Sequence, residues 1–163
     1  PRTPQRTVTP DEAVVSVLAA LDAAAIPYML VGSMAANLHG IPRSTRDADF
    51  VVQTSSDSLQ RFSTHLASGL VLERQGAFEA VTGTVRHLVT LHGSPFVCEL
   101  FELSDDGHDR SRFARRVSAR ILARTAFVAS AEDTIVTKLR WAASANRSKN
   151  TETPTRSGLT DWK

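Results

Sequence analysis

The segment from Tyr28 to Val52, YMLVGSMAANLHGIPRSTRDADFVV, constrains the fold more than any other part of the chain. The apolar run Tyr28–Val31 ends at Gly32-Ser33, where the composition turns small and polar. A basic stretch, Ile41–Arg46, follows, and Asp47-Ala48-Asp49 opens a second apolar run. Two buried strands joined through a short helix and a loop satisfy this pattern. Residues two apart on a strand point to one face, so the second strand sets Asp47 and Asp49 side by side.

The flanking sequence fills in a single domain. At 163 residues the chain is long enough to bury a real core. Thr9 caps a helix whose first turn is Pro10-Asp11-Glu12, with Val14, Val17, Leu18, Leu21 and Ala25 at helical spacing and Pro27 closing it. Ser33 is placed to cap a second helix that closes at Gly40. Strand character returns over Ala48–Val52. A third helix covers Ser55–Ser68, with Leu59, Phe62 and Leu66 as its stripe. Gly69–Ala80 reads as a strand plus loop. Val85–Leu91 and Phe96–Leu103 read as strands joined by His92-Gly93-Ser94-Pro95. Asp105–Arg116 is polar and suits a short helix, and Ser118–Ala129 suits one or two strands. Ser130 caps a helix over Ala131–Ala145, with Ile135, Leu139 and Ala142 expected on its buried side. The order of elements predicts an α+β (α/β) domain with helices packed on one small mixed sheet. Expected boundaries are a flexible arm at 1–9, the domain at 10–147 and a loose Ser-, Thr- and Pro-rich tail at 148–163.

Composition removes several classes. Net charge is only +2, and the single Cys98 excludes an internal disulfide and a cysteine-based zinc cluster. No apolar run approaches the length of a membrane span, and the start lacks a signal-peptide core, so a cytoplasmic setting without membrane contact is the default. Six arginines fall between Arg110 and Arg124. They suit either a phosphate-facing patch or a solvated surface that balances Glu99, Glu102, Asp105, Asp106 and Asp109.

Gly32 lacks a Cβ and lets backbone approach a ligand. The start of the helix after it offers free N–H groups that suit phosphate, although an ordinary strand-to-helix turn reads the same. Asp47 and Asp49 offer hard oxygen donors that suit Mg²⁺ or Mn²⁺. Alternatively, Asp47 caps a turn and Asp49 pairs with Arg43 or Arg46. Glu99 stands among apolar residues, where a charge needs a reason, and offers a third carboxylate; the other reading is an edge-strand Glu facing solvent. Trp141 reads as a packing residue.

Gly32-Ser33, a gap of thirteen residues, Asp47-Ala48-Asp49 and then Glu99 on a later strand resemble the polymerase-beta-like nucleotidyltransferase superfamily. The string GSMAANLHGIPRSTRDADFVV and the later AEDTIVTKLRWAASANRSK resemble its small bacterial AbiEii-like and minimal members. The resemblance implies a Mg²⁺- or Mn²⁺-dependent transfer of an NMP group from an NTP such as ATP to a hydroxyl on RNA, protein or a small molecule. It also implies a toxin–antitoxin or defence setting with a partner protein. Catalytic and metal-binding roles fall to Asp47, Asp49 and Glu99, and nucleotide contacts to Gly32, Ser33, Arg43, Thr45 and Lys138. The chain departs from the pattern in having Glu at 99, where the third acid is usually Asp, and Arg147-Ser148-Lys149-Asn150 in place of R-x-K-D. These departures motivate an alternative: a weak or inactive nucleotide- or partner-binding module of the same fold.

Overall fold

A computed structural model describes residues 8–73, 75–80 and 83–151. Helix α1, Pro10–Ala23, opens with a capping box in which Thr9 Oγ1 accepts from the Glu12 N–H and the Thr9 N–H donates to Glu12 Oε2. It ends before Pro27, because Ala25 turns into the left-handed region at φ 54° and the Ile26 N–H donates back to the Leu21 carbonyl. Ala25 therefore lies outside the helical stripe. Strand β1, Tyr28–Val31, runs into α2, Gly32–His39, and β2 spans Asp47–Val52. Helix α3 is shorter than expected, Ser56–Thr64, with Ser55 as its cap.

The strands that follow are β3, Leu70–Leu72; β4, Ala77–Glu79; β5, Thr84–Leu91; and β6, Val97–Glu102. After them come α4, Gly107–Ala114, capped by Asp106, and a hairpin of β7, Val117–Ile121, with β8, Arg124–Val128. Helix α5, Ala131–Thr151, continues beyond the expected end at Ala145. No helix among the described residues is long and apolar enough to cross a membrane. The expected arm and tail fall largely on residues 1–7 and 152–163, outside the described residues.

The strands form one mixed sheet in the order β3-β5-β6-β2-β1-β8-β7, with β4 also on β5. Strand β2 runs antiparallel to β1 and parallel to β6, and β1 runs parallel to β8. Side-chain alternation gives the sheet two unlike faces. One face carries Tyr28, Leu30, Ala48, Phe50, Val52, Val89, Cys98 and Leu100, and α1 and α3 pack over it to form the main core. The other face holds a smaller cluster of Met29, Val51, Phe113 and Ala129. Beyond Val51 on that face, the apolar pattern of β2 gives way to Asp49 and Asp47. The sequence alternation therefore decides which face is core and which is left for chemistry.

Candidate active site

The register brings the acids together. In the parallel pairing of β2 and β6, Asp49 lies opposite Glu99 and Asp47 opposite Val97, so all three carboxylates share the face away from the main core. Strand β6 is interior, flanked by β2 and β5, which removes the edge-strand reading of Glu99. Its side chain is only 20% exposed, and Oε1 accepts from Arg86 Nη1 at 3.2 Å. No group of three His, Cys, Asp or Glu among the described residues stands ready-made for a metal ion.

Gly32 fits the site for two separate reasons. Its φ is +67°, and a Cβ there would fall 2.0 Å from Asp49 Oδ2. The Asp49 carboxylate thus lies against the Gly32 backbone, at the start of α2. Ser33 does not cap that helix as expected. The N-cap is Val31, which supplies no side-chain bond, and Ser33 falls inside the first turn. Among the described residues no side-chain cap bond is made at this helix start, whose opening N–H groups suit an anion. Gly40 closes α2 in an extended conformation, φ −147°, rather than the left-handed one that usually ends a helix.

The basic loop is held by a residue that the sequence did not single out. Asn37 Nδ2 donates to the Arg43 carbonyl at 2.7 Å, and the Arg43 N–H donates to Asn37 Oδ1 at 3.1 Å. Thr45 Oγ1 lies 2.8 Å from Asp47 Oδ1 and 3.0 Å from the Asp47 carbonyl, so this hydroxyl orients the carboxylate. No ion pair joins Arg43 or Arg46 to Asp47 or Asp49 among the described residues.

A cleft of about 470 Å³ opens over Asp47 and Asp49, lined also by Gly32, Ser33, Arg43 and Lys138, whereas Thr45 and Glu99 lie outside its lining. Helix α5 contributes Thr134, Thr137, Lys138 and Trp141 to the lining. The expected buried side of α5 is the wrong one: Ile135 is 59% exposed and Leu139 64% exposed, while Asp133 and Thr134 are buried. The helix is anchored through polar groups at its start. Asp133 Oδ2 accepts from Arg115 Nε at 2.8 Å, and the Asp133 N–H donates to Ser130 Oγ. His39 Nε2 lies 3.0 Å from the Ala129 carbonyl and ties α2 to the same corner. Trp141, read from sequence as packing, is half-exposed on the cleft wall. Arg112 is a second residue that sequence reasoning missed. It bridges the helices, donating to Asp109 Oδ1 at 3.0 Å and to Thr137 Oγ1 at 3.2 Å. Its signal was the Asp109–Arg112 spacing on one helix face.

Most of the arginine cluster is spent internally. Arg110 pairs with Asp105, Arg112 with Asp109, Arg115 with Asp133 and Arg124 with Asp22, and Arg116 lies over the Phe113 and Phe127 rings. That arrangement fits the balanced surface, and of the cluster Arg112 lines the cleft.

Electrostatics single out Asp49. Burial, followed by the negative charges of Asp47 and Glu99, pushes its carboxyl up to about 7, and Arg86 offsets only part of this. Burial likewise raises Glu99, with Arg86 acting against it. Cys98, on the opposite face of β6, is pushed up to about 12 by burial and is not a nucleophile.

No family model matches the chain, and no curated protein sequence does. Solved structures do resemble it. A candidate nucleotidyltransferase from Thermotoga maritima matches with a TM-score of 0.63 at 11% identity, over 91% of this chain and 95% of that one. The antibiotic-resistance factor ANT(2'')-Ia matches with 0.53 at 15% identity, over 88% and 75%. A candidate nucleotidyltransferase from H. pylori matches with 0.50 at 20% identity, over 84% of this chain; this chain spans 59% of that protein's length. The chain has the nucleotidyltransferase fold of these proteins.

Proposed function

We propose that a chain with this fold transfers an NMP group from a nucleoside triphosphate to a hydroxyl acceptor in the cleft between β2 and α5. The observation that carries the reading is the Asp49 carboxylate packed against Gly32, at the uncapped start of α2, with Asp47 beside it. A helix start that suits phosphate and a carboxylate pair that suits a divalent cation then face one space.

The donor set fits Mg²⁺ or Mn²⁺. Asp47 and Asp49 are hard oxygen donors, and an Asp49 carboxyl held up to about 7 by burial and like charge is short of positive charge. Asp47 and Asp49 would hold the ion, with Glu99 as the third ligand. When bound, it would draw triphosphate oxygens to the carboxylates and offset charge developing at the α-phosphate. The chain's own groups do the rest. Gly32 and Ser33 would receive the β- and γ-phosphates on backbone N–H groups. Lys138 and Arg43, both in the cleft lining, would add positive charge along the triphosphate. Thr45 fixes the Asp47 carboxylate. The acceptor oxygen bonds to the α-phosphorus, the bond to the β-phosphate oxygen breaks, and pyrophosphate leaves. The hydroxyl proton passes to a carboxylate, for which Glu99 is the candidate. Positioning and charge compensation supply most of the rate.

The acceptor class stays broad: RNA, protein or a small molecule. ANT(2'')-Ia has been crystallised with adenylyl-2''-tobramycin, a small-molecule adduct. A toxin–antitoxin or defence role with a partner protein rests on the sequence resemblance. The test is label transfer. Purified protein is incubated with Mg²⁺, each α-labelled NTP in turn, and cell RNA, lysate protein or an aminoglycoside. Label should appear in one acceptor fraction and vanish in Asp47→Ala/Asp49→Ala; equal labelling by both proteins would sink the mechanism. The Arg86–Glu99 ion pair favours a second reading, a binding module without turnover. That reading expects Mg²⁺-dependent NTP binding and no label transfer.

A further inference from the structure

The third carboxylate has a competing partner inside the sheet. Arg86 on β5 lies opposite Phe101 on β6, and Glu99 lies opposite Leu88, so Arg86 and Glu99 are diagonal neighbours on the face of the acids. Glu79 on β4 lies opposite Thr84 and joins the same face. Arg86 Nη1 stands 3.2 Å from Glu99 Oε1 and 3.8 Å from Glu79 Oε2. The guanidinium is thus shared between two carboxylates, and its Nε is buried with no hydrogen-bond partner among the described residues. Among the described residues β4 pairs with β5 alone, whereas Glu99 sits on an interior strand beside Asp49.

We propose that Arg86 is a positioning residue that competes with a divalent cation for Glu99, and that Glu79 takes over the guanidinium when Glu99 turns to the metal. The inference rests on the nucleotidyl-transfer reading of the site. Three observations lead to it. Among the described residues, Glu99 is the one acid of the three in an ion pair. The three acids, although on one face, do not form a ready-made metal group. A second carboxylate lies within reach of the same guanidinium nitrogen. Both contacts come from one nitrogen, Nη1, which bonds Glu99 at 3.2 Å and leaves Glu79 at 3.8 Å, beyond hydrogen-bond length, so Glu79 is held only in part while Glu99 is engaged. The Asp47 and Asp49 pair is then available to metal outright, and Glu99 joins it at the cost of an ion pair that Glu79 restores.

The test is a Mn²⁺ titration followed by electron paramagnetic resonance, with the full chain and a non-hydrolysable NTP analogue present. Arg86→Gln should tighten Mn²⁺ binding about fivefold, the scale that a partly screened ion pair supports. Glu79→Gln should weaken it, since Arg86 then stays on Glu99. Arg86→Lys should fall between wild type and Arg86→Gln. The gain from Arg86→Gln should disappear in the Glu99→Gln background; a merely structural Arg86 would shift Mn²⁺ affinity equally in both. Unchanged or weaker binding in Arg86→Gln would overturn the proposal, as would an equal shift in both backgrounds. Should Arg86→Gln fail to fold, Glu79→Gln decides alone, and an unchanged affinity there counts against the proposal. Mn²⁺ binding that is indifferent to Asp47→Asn and Asp49→Asn would instead sink the functional reading beneath it.

Discussion

Asp49 occupies a position where a carboxylate is costly. It is largely removed from water, flanked by two acids, and pressed against a glycine backbone that admits nothing larger. The sign of its effect on stability follows from linkage. A carboxyl held at about 7 when folded and near 3.8 when unfolded binds its proton more tightly in the folded state. The metal-free protein therefore gains stability as pH falls from about 7 towards 4, and carries the full cost of ionisation above 7. Asp49→Asn removes that cost. Its melting temperature without metal should exceed wild type by several degrees at pH 8, and the gap should close by pH 5. Mn²⁺ should reverse the order at pH 8, because only the carboxylate form gains from the ion. A wild type that is the more stable at pH 8 without metal would refute this account. Gly32 was legible in the sequence as a close-approach residue. What it approaches was not, since Asp49 lies seventeen positions away and only the β1–β2 register joins them.

At the scale of elements, α5 shows how tertiary context overrides a helical pattern. Ile135, Leu139 and Ala142 form an apolar stripe by spacing, yet the helix turns Thr134, Thr137, Lys138 and Trp141 to the cleft. The start of α5 is fixed by Asp133, whose side chain is 3% exposed and bonded to Arg115 and Ser130. Periodicity identifies an amphipathic helix but does not say which face has a neighbour. Arg115 holds the Asp133 carboxyl below the usual range. The stabilisation is therefore present above the unfolded value near 3.8 and lost as pH falls through the lower folded value. Asp133→Asn should cost on the order of 1–2 kcal/mol at pH 7, because Arg115 is half-exposed and its attraction is screened. The difference from wild type should shrink in melts below about pH 4. A constant difference between pH 7 and pH 3 would show that packing, rather than the ion pair, fixes the helix.

At the scale of the whole molecule, two unlike faces of one sheet divide stability from chemistry. The α1- and α3-covered face holds Phe50, Leu100, Leu30 and Val52, all fully buried, one residue out of phase with the acids of β2 and β6. Phe50→Ala should lose about 3–5 kcal/mol in denaturant unfolding, since that face is closely packed. A loss below 1 kcal/mol would mean that the core is not where the sheet places it. The alternation Asp47-Ala48-Asp49-Phe50 carries this division in the sequence itself, because a strand must send neighbours to opposite faces. The capped starts of α1 and α5 were likewise written locally, in Thr9 and Ser130, since a cap bonds within three residues. By itself, then, the sequence determined the strand–helix–strand unit, the paired carboxylates and most helix starts, all of which depend on contacts a few residues apart. Only the tertiary structure decided that Glu99 sits beside Asp49, that Arg86 holds it, that Asn37 clamps the loop at Arg43, and that α5 turns its polar side inward. Those outcomes depend on strand order and helix docking, and neither leaves a local signature in the chain.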